Sequence, residues 1–484
     1  MQRFVMCMQL LAMNAEYADF LRDESRREGW AEAIVFPTST QEVCEALAVA
    51  RENRWAVTVQ GGRTGITGGC VPSGGLILNC SRMNTIGPID GERITVQPGA
   101  VLSDVRAALQ GSGLFFPSDP TETSASIGGM VANNASGARS FKYGSARNWI
   151  DALEVVLTSG EVVRVERGVH IADGFSFQLG SFSGELPPIP HPAVKNAAGY
   201  FIQPNMDLLD LFIGAEGTLG MVTSITLRLL PEPSELTGLT AFFASESDAL
   251  QFVRSLRAKT NPIAIEFFDC HTLELLLRMK NEVAAFAELP LLAPEYHTAV
   301  YFEYEGAVPN SLETLIEPAL ECWMAEGSQE IGALKHFRHA VPESINLLIA
   351  ERKKVIPELT KLGTDMSVPD EQLENVMRMY HAGLADAGLE YVIFGHIGNN
   401  HLHVNILPRS MEEYELGKAL YFNWARQVVD WGGSVSAEHG IGKLKTEFLE
   451  LMLGRENLRK MEDLKHLFDP SNLLNPGNLF ERKI

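Results

Sequence analysis

Seven glycines fall between residues 61 and 75, directly behind the strand-like run Ala56-Val57-Thr58-Val59. Glycine admits φ > 0 and lets backbone N–H groups come close to an anion. Successive amides in such a turn form a nest for phosphate oxygens. The stretch Gln60-Gly61-Gly62-Arg63-Thr64-Gly65-Ile66-Thr67-Gly68-Gly69 is neither G-x-G-x-x-G nor a Walker A loop, so neither a Rossmann site nor a P-loop is indicated. A plain surface turn would share the composition. Two further stretches argue against that. Residues 117–137 are dominated by small side chains and hydroxyls, which suit a backbone lying against a large flat ligand better than a core. Long loops of that kind inside a domain are usually functional. Residues 213–223, Ile-Gly-Ala-Glu-Gly-Thr-Leu-Gly-Met-Val-Thr, open a strand with glycines.

Composition narrows the partners. The chain carries 40 basic and 61 acidic residues, a net charge of −21. Such a surface repels phosphate backbones and anionic lipid, which excludes nucleic acid as an expected partner. No apolar run reaches the ~18–20 residues of a membrane span, so no transmembrane segment is expected. The six cysteines, Cys7, Cys44, Cys70, Cys80, Cys270 and Cys322, show no C-x-x-C spacing. That pattern fits a reducing compartment and no iron–sulfur cluster on this chain. The N-terminus lacks a secretory cleavage site, and Glu16 and Asp19 follow closely. It reads as an amphipathic helix, or as residues ahead of a mis-assigned start codon, with Met13 the true start. The expected location is cytoplasmic, with the inner membrane face as a peripheral alternative.

Periodicity gives the organisation. Helical patterns at 40–52 and 102–112 interleave with strand-like runs at 94–96 and at 152–165, the latter turning at Ser159-Gly160. Leu230-Pro231-Glu232-Pro233 ends a strand at 222–229 and punctuates the chain. Beyond it, strands at 238–243, 263–269 and 298–304 alternate with helices at 246–258, 271–279 and 311–325. Asp370 reads as the cap of a helix running to about 386, with Gly388 as its stop. Residues 391–407 read strand–turn–strand, a helix follows at 411–430, and a short helix with a Pro-containing tail ends the chain. The expected divisions are an N-terminal helical segment at 1–32, a mixed domain at 33–230, an α+β domain at 231–430 and a closing segment at 431–484.

The densest chemistry is Phe394-Gly395-His396-Ile397-Gly398-Asn399-Asn400-His401-Leu402-His403-Val404-Asn405, where three of the twelve His fall within eight residues. On a strand, His401, His403 and Asn405 share one face. Glu438-His439 follows some thirty residues later. Imidazoles with one carboxylate make a divalent-metal site of the open, catalytic type.

Together these stretches resemble the FAD-linked D-2-hydroxy-acid dehydrogenases, within the vanillyl-alcohol oxidase/PCMH flavoprotein superfamily. Val35-Phe36-Pro37 with Glu42-Val43 looks like the opening of the FAD-binding domain, and Phe468-Asp469-Pro470-Ser471-Asn472-Leu473-Leu474-Asn475-Pro476-Gly477 matches the closing motif. The resemblance spans nearly the whole chain. It implies an α+β fold: a PCMH-type FAD-binding domain, a ferredoxin-like α+β substrate (cap) domain, and a C-terminal helical segment returning to the flavin. It implies that Gly61, Gly62, Arg63, Thr64, Gly65, Gly68 and Gly69 hold the FAD pyrophosphate. Pro117, Thr123, Ser126, Gly128, Gly129, Asn133 and Gly137, with Glu216, Gly217, Gly220 and Val222, would wrap the rings. Several members attach flavin covalently through a His in the pyrophosphate loop; residues 61–69 contain none, so FAD is expected non-covalent. Matched residue by residue, His396, His403 and Glu438 fall on the metal ligands, Asn405 on a polar group near substrate, and His439 on the catalytic base. His401 is left outside the ligand set. The metal is expected to be zinc, with manganese or iron as alternatives.

Oxidation of a 2-hydroxy acid removes a hydroxyl proton and passes hydride from Cα to flavin. A divalent ion on the hydroxyl and carboxylate oxygens assists, as does a neighbouring His near neutral pH. A cation should read the carboxylate: Arg338 as a bidentate fork, with Lys361 as the weaker choice. Arg352, Lys353 and Lys354 read as a solvated helix face. Electrons are expected to pass to an external acceptor: a quinone, an electron-transfer flavoprotein or a cytochrome. The oligomeric state stays open, a homodimer included. Competing readings are a metal-independent flavoprotein alcohol oxidase, a non-catalytic FAD subunit, and a zinc–nicotinamide dehydrogenase that lacks its Rossmann fingerprint.

Overall fold

The computed structural model describes residues 8–233 and 235–481. The reading of the extreme N-terminus, Cys7 included, lies outside them.

A small sheet carries the glycine-rich turn. Val57–Gln60 and Leu76–Asn79 pair in parallel, Ala33–Val35 flanks them in parallel, and Leu11–Ala12 closes the edge antiparallel. A helix over Thr40–Asn53 packs on this sheet. Ser39 caps it by accepting from the Glu42 amide, Arg54 ends it at φ 56°, and Val43, Ala46, Leu47 and Ala50 are buried at helical spacing. Residues 8–32 form no long helix. They hold the Leu11–Ala12 strand and a single 3₁₀ stretch at Ala15–Leu21, because Leu11 and Ala12 are drawn into the sheet against Ile34 and Ala33.

A second sheet is antiparallel throughout, in the order Ile86–Asp90, Arg93–Val96, Met221–Arg228, Ile150–Val156, Val162–Glu166. Its central strand buries Met221, Thr223, Ile225 and Leu227 in strict alternation. The expected hairpin around Ser159-Gly160 is present.

An eight-stranded sheet follows Leu230-Pro231. Its first four strands in the chain, Leu236–Phe243, Ala264–Phe268, Thr298–Glu305 and Glu321–Glu326, lie in the spatial order fourth, first, third, second, all antiparallel. That is the ferredoxin-like order. Tyr391–His396 and His401–Ile406 extend it from Ala264–Phe268. Alternate side chains feed two cores: Phe243, Phe267 and Phe302 pack with Phe252 and Leu256 of one helix, while Phe242 and Phe268 pack with Phe337, Ala340 and Ile345 of another.

Three expected elements differ. The helix expected at 311–325 stops at Ile316; Pro318 interrupts it, and Glu321–Glu326 pairs as an edge strand with Phe242–Thr237. A long helix at Gly327–Lys353 follows, of which only the end at Arg352 and Lys353 is read as helical in the sequence. Asp370 is not a helix cap: it lies in a 3₁₀ turn, its carboxylate bonds Arg257 and Asn400, and the helix runs Leu373–Ala387 before Gly388 at φ 62°. The closing helix is 23 residues long, Thr446–Phe468, kinked at Gly454. Arg352 is no solvated charge either, since it donates to the Leu407 and Pro408 carbonyls and pairs with Glu390.

The C-terminal tail returns to the first sheet. The Val57 amide donates to Leu473 O at 2.7 Å, the Asn475 amide to Val57 O at 2.8 Å, and Asn475 Oδ1 accepts from the Val59 amide at 2.8 Å. Asp469 anchors this tail by accepting from the Leu473 and Leu474 amides and from the buried Lys465 ammonium.

Candidate active site

One cavity of about 1870 Å³ joins the three glycine-bearing stretches to the His/Glu cluster. Its wall includes Gly61, Gly62, Arg63, Thr64, Gly65 and Gly69, then Ser126, Gly128, Gly129, Asn133 and Gly137, then Glu216, Gly217, Gly220 and Val222. Arg338, Lys361, His396, His403, Asn405, Glu438 and His439 line it as well. Gly68, Pro117 and Thr123 stand outside the wall. The Gly68 carbonyl accepts from Lys443 instead.

The turn at 61–69 has the form of an anion nest. Arg63 is left-handed at φ 58° and Gly68 at φ 72°. Among the described residues, the amides of 63–67 donate to no protein acceptor, while the Gly62 amide is taken by Ser126 Oγ at 3.1 Å. A Cβ on Gly61 would sit 2.0 Å from Ser126 Oγ, and one on Gly137 1.9 Å from Asp119 O. Close backbone approach therefore requires glycine at both. Beside the nest, Lys443 donates to Gly69 O and Asn478 Oδ1, and burial pushes its ammonium down to about 8. Glu216 has a different local task. Its two carboxylate oxygens accept from the Ile441 and Gly442 amides at 2.7 and 2.8 Å, clamping the closing segment onto the cavity wall.

The imidazoles come from one hairpin. Phe394 pairs with His403, Gly395 with Leu402 and His396 with His401 across a tight turn. Gly395 sits at φ 131°, where a Cβ would meet His403 Cδ2 at 2.9 Å. Ligand atoms of His396, His401, His403 and Glu438 all lie within 4.8 Å of one another. His403 Nε2 is 3.3 Å from Glu438 Oε1, and His396 Nε2 is 3.4 Å from Glu438 Oε2. The far nitrogens are committed: His396 Nδ1 lies 2.6 Å from Glu266 Oε1, and His403 Nδ1 donates to Thr364 O at 2.9 Å. Both Nε2 atoms thus face Glu438, in the arrangement of oriented metal ligands. Burial disfavours a charged His396, but Glu266 and Glu438 outweigh it and hold its proton up to about 9.

His439 stands at the cavity side, its Nε2 3.6 Å from Glu438 Oε1 and its Nδ1 3.3 Å from Asp365 Oδ2. Asp365 is fully buried and collects donors: Lys445 Nζ at 2.7 Å, Ser436 Oγ at 2.6 Å, and the amides of Glu438 and His439 at 3.2 and 3.1 Å. Burial alone would raise this carboxyl, yet His439, Lys445 and the hydrogen bonds hold it well below the usual carboxylate range. Lys195 reaches in from the proline-rich segment 187–204, its Nζ 2.7 Å from Glu438 Oε2 and 3.2 Å from His401 Nδ1.

Arg338 is largely buried in the cavity wall. Its side chain is 12 % exposed, with Nη1 3.8 Å from Glu266 Oε2 and Nη2 3.0 Å from His339 Nε2. Burial and the Arg338 charge push His339 down to about 4, leaving a neutral ring beside the guanidinium. Burial, then Arg26, lowers the Lys361 ammonium. Sequence reasoning missed Glu266, Asp365 and Lys195. None of the three carries a local pattern in the sequence.

Two family models cover most of this architecture: "FAD binding domain" over residues 31–166 and "FAD linked oxidases, C-terminal domain" over 232–479. The chain belongs to the FAD-linked oxidases. A D-lactate dehydrogenase of Anaerostipes hadrus is 30% identical over 464 residues, 93% of this chain and 90% of its own. A D-2-hydroxyglutarate dehydrogenase of Xanthomonas citri pv. viticola is 31% identical over 500 residues, 99% and 96% of the two chains. An alkyldihydroxyacetonephosphate synthase structure, 16% identical, superposes with a TM-score of 0.64 over 97% of this chain and 82% of its own, which shows a shared fold. This FAD-linked oxidase is thus a flavoprotein oxidoreductase of α+β architecture. No described helix in it is long and apolar enough to cross a membrane.

Proposed function

We propose that the chain oxidises a D-2-hydroxy acid of the D-lactate, glycolate or D-2-hydroxyglutarate type to the 2-oxo acid, using non-covalent FAD and a divalent ion. The observation that carries this reading is the single cavity joining an amide nest to an oriented His/Glu cluster. The domain divisions proposed are those at 1–32, 33–230, 231–430 and 431–484.

Both groups fit the residues present. The unpaired amides of 63–67 suit a pyrophosphate, and the cavity volume suits a dinucleotide with a small acid beside it. The donor set His396 Nε2, His403 Nε2 and Glu438, with the far nitrogens engaged, suits a catalytic divalent ion with positions open. FAD supplies the hydride acceptor, and the ion supplies Lewis acidity that eases loss of the hydroxyl proton.

The chain's own residues do the rest. Arg338 receives the substrate carboxylate, with Asn405 and Lys361 completing the polar wall. His439 Nε2 accepts the hydroxyl proton. Asp365 receives the Nδ1–H of the same ring, fixing its tautomer and steadying the imidazolium that forms, as a buried carboxylate does for a histidine base. The five described cysteines are free and scattered, which supports an acceptor outside this chain: quinone, electron-transfer flavoprotein or cytochrome. The location proposed is cytoplasmic, or peripheral at the inner membrane face.

The test is anaerobic flavin bleaching with D- and L-2-hydroxy acids, repeated on His439→Asn. A D-acid should bleach the wild-type flavin, while His439→Asn keeps metal and FAD and reduces flavin about 10²-fold more slowly or worse. Failure of every 2-hydroxy acid would refute the substrate class. Near-normal turnover of the variant would remove His439 from the chemistry, and loss of its metal would make it a ligand.

A further inference from the structure

Four ligand-type side chains meet at the cluster, yet an open catalytic site uses three and a closed structural site uses four. The fourth here is His401. Its ring is completely buried, and its Nδ1 faces Glu438 Oε2 at 3.8 Å, as near as a further ligand would stand. Its Nε2 faces Asp365 Oδ1 at 3.1 Å, so Nδ1 is the nitrogen turned toward the cluster. What stands between His401 and Glu438 is the Lys195 ammonium, 3.2 Å from the one and 2.7 Å from the other.

Lys195 is not a side chain that drifted in. Its own carbonyl accepts from Ser367 Oγ at 2.6 Å, Asn196 Oδ1 accepts from Ser434 Oγ at 2.6 Å, and the Ala197 amide donates to Ser436 O at 2.8 Å. Lys195 and the two residues after it are therefore stitched to the segments that carry Asp365 and Glu438. Its side chain is 9 % exposed.

We propose that Lys195 is a positioning residue that keeps the metal site open. Its ammonium caps His401 Nδ1 and Glu438 Oε2, which withholds both atoms from an ion and leaves His396 Nε2, His403 Nε2 and Glu438 Oε1 as the ligand set. Oε1 is also the oxygen nearest His439, so the open positions fall beside the proposed base. The ammonium also fixes the charge next to the ion without entering its coordination sphere. This inference rests on the metal reading above and goes beyond it by assigning what limits the number of ligands.

The test uses the full-length protein with FAD bound, loaded with Zn²⁺ or Co²⁺. Lys195→Met should bind Zn²⁺ more tightly than wild type, by about 10-fold or more, the scale on which residues around a metal's ligands tune affinity. The Co²⁺ form should gain a nitrogen ligand, seen as a stronger, four-coordinate visible spectrum, and substrate turnover should fall. His401→Gln alone should leave Zn²⁺ affinity within a few-fold of wild type. In Lys195→Met/His401→Gln, affinity and spectrum should return toward wild type, because no fourth ligand remains. Retained FAD absorbance in each variant reports folding, and Lys195→Arg should preserve the wild-type Co²⁺ spectrum.

Each other outcome overturns the proposal. Unchanged or weaker Zn²⁺ binding by Lys195→Met would mean that the ammonium does not exclude a ligand. Tight binding that persists in the double variant would assign the effect to charge removal alone. A large loss of affinity in His401→Gln would make His401 a ligand already. Absence of metal binding by wild type would instead refute the metal reading itself, a failure distinct from these.

Discussion

Asp365→Asn probes a buried carboxylate on which four hydrogen-bond donors converge. The substitution keeps shape and removes charge. Asn can turn its carbonyl toward the side where Lys445, Ser436 Oγ, the His439 amide and His439 Nδ1 converge, or toward the Glu438 amide and His401. The first orientation satisfies more donors, so the new NH₂ faces the Glu438 N–H and orphans it, at a cost of about 1–3 kcal/mol. Lys445 then keeps an acceptor but loses its buried counter-charge, and breaking a buried pair this way costs about 3–5 kcal/mol. Part of the two losses is shared, so a total near 3–5 kcal/mol is expected. For a domain of this size that corresponds to a melting temperature lower by about 6–20 °C. Circular dichroism or flavin fluorescence against temperature reads it. Lys445→Met in the same background should recover part of the loss, because the unpaired charge is gone. A variant melting within 2 °C of wild type, or a double variant showing strict additivity, would refute the account of Asp365 as the pairing charge.

Two further outcomes are expected. Burial raises Glu216 to about 7 against the pull of the Ile441 and Gly442 amides, so the folded state holds its proton more tightly than the unfolded chain, whose value is about 4.3. The associated stability is full below about pH 4.3 and lost as pH rises through 7. Relative to Glu216→Gln, wild type should therefore lose about 3–4 kcal/mol between pH 4 and 8, measured as the difference in unfolding free energy; a gain over that range would reverse the sign and refute it. The flavin should enter the supernatant on acid precipitation, since residues 61–69 offer no His for attachment; yellow colour retained by the pellet would contradict non-covalent binding.

Much of the fold was legible because its signals are local. Helix 40–53 announces itself by Ser39 and the Val43, Ala46, Leu47, Ala50 stripe, and the hairpin carrying the imidazoles by alternation around a Gly-containing turn. The edge strand Glu321–Glu326 was not, because it pairs with residues some eighty positions earlier and its own composition says nothing of that partner. The same distinction divides the site. His396, His403 and Glu438 stand out as residue types in clusters, whereas Glu266, Asp365 and Lys195 act through contacts 130, 74 and 243 residues away. Single carboxylates and lysines are common on any surface, and only tertiary contact turns these three into part of the machinery.

The tail that pairs with Val57 also sets an order of events in time. The strand leading into the glycine-rich nest is among the first made, but its neighbour at Leu473–Asn475 is among the last, 416 residues separating Val59 from its partner Asn475. At about 5–20 residues per second, translation leaves an interval of about 20–80 s between the two. Throughout that interval the nest has an open flank, and the Glu216 clamp still lacks Ile441 and Gly442 for most of it. A growing chain therefore cannot close the flank of its flavin cradle until the tail through Asn475 has been made.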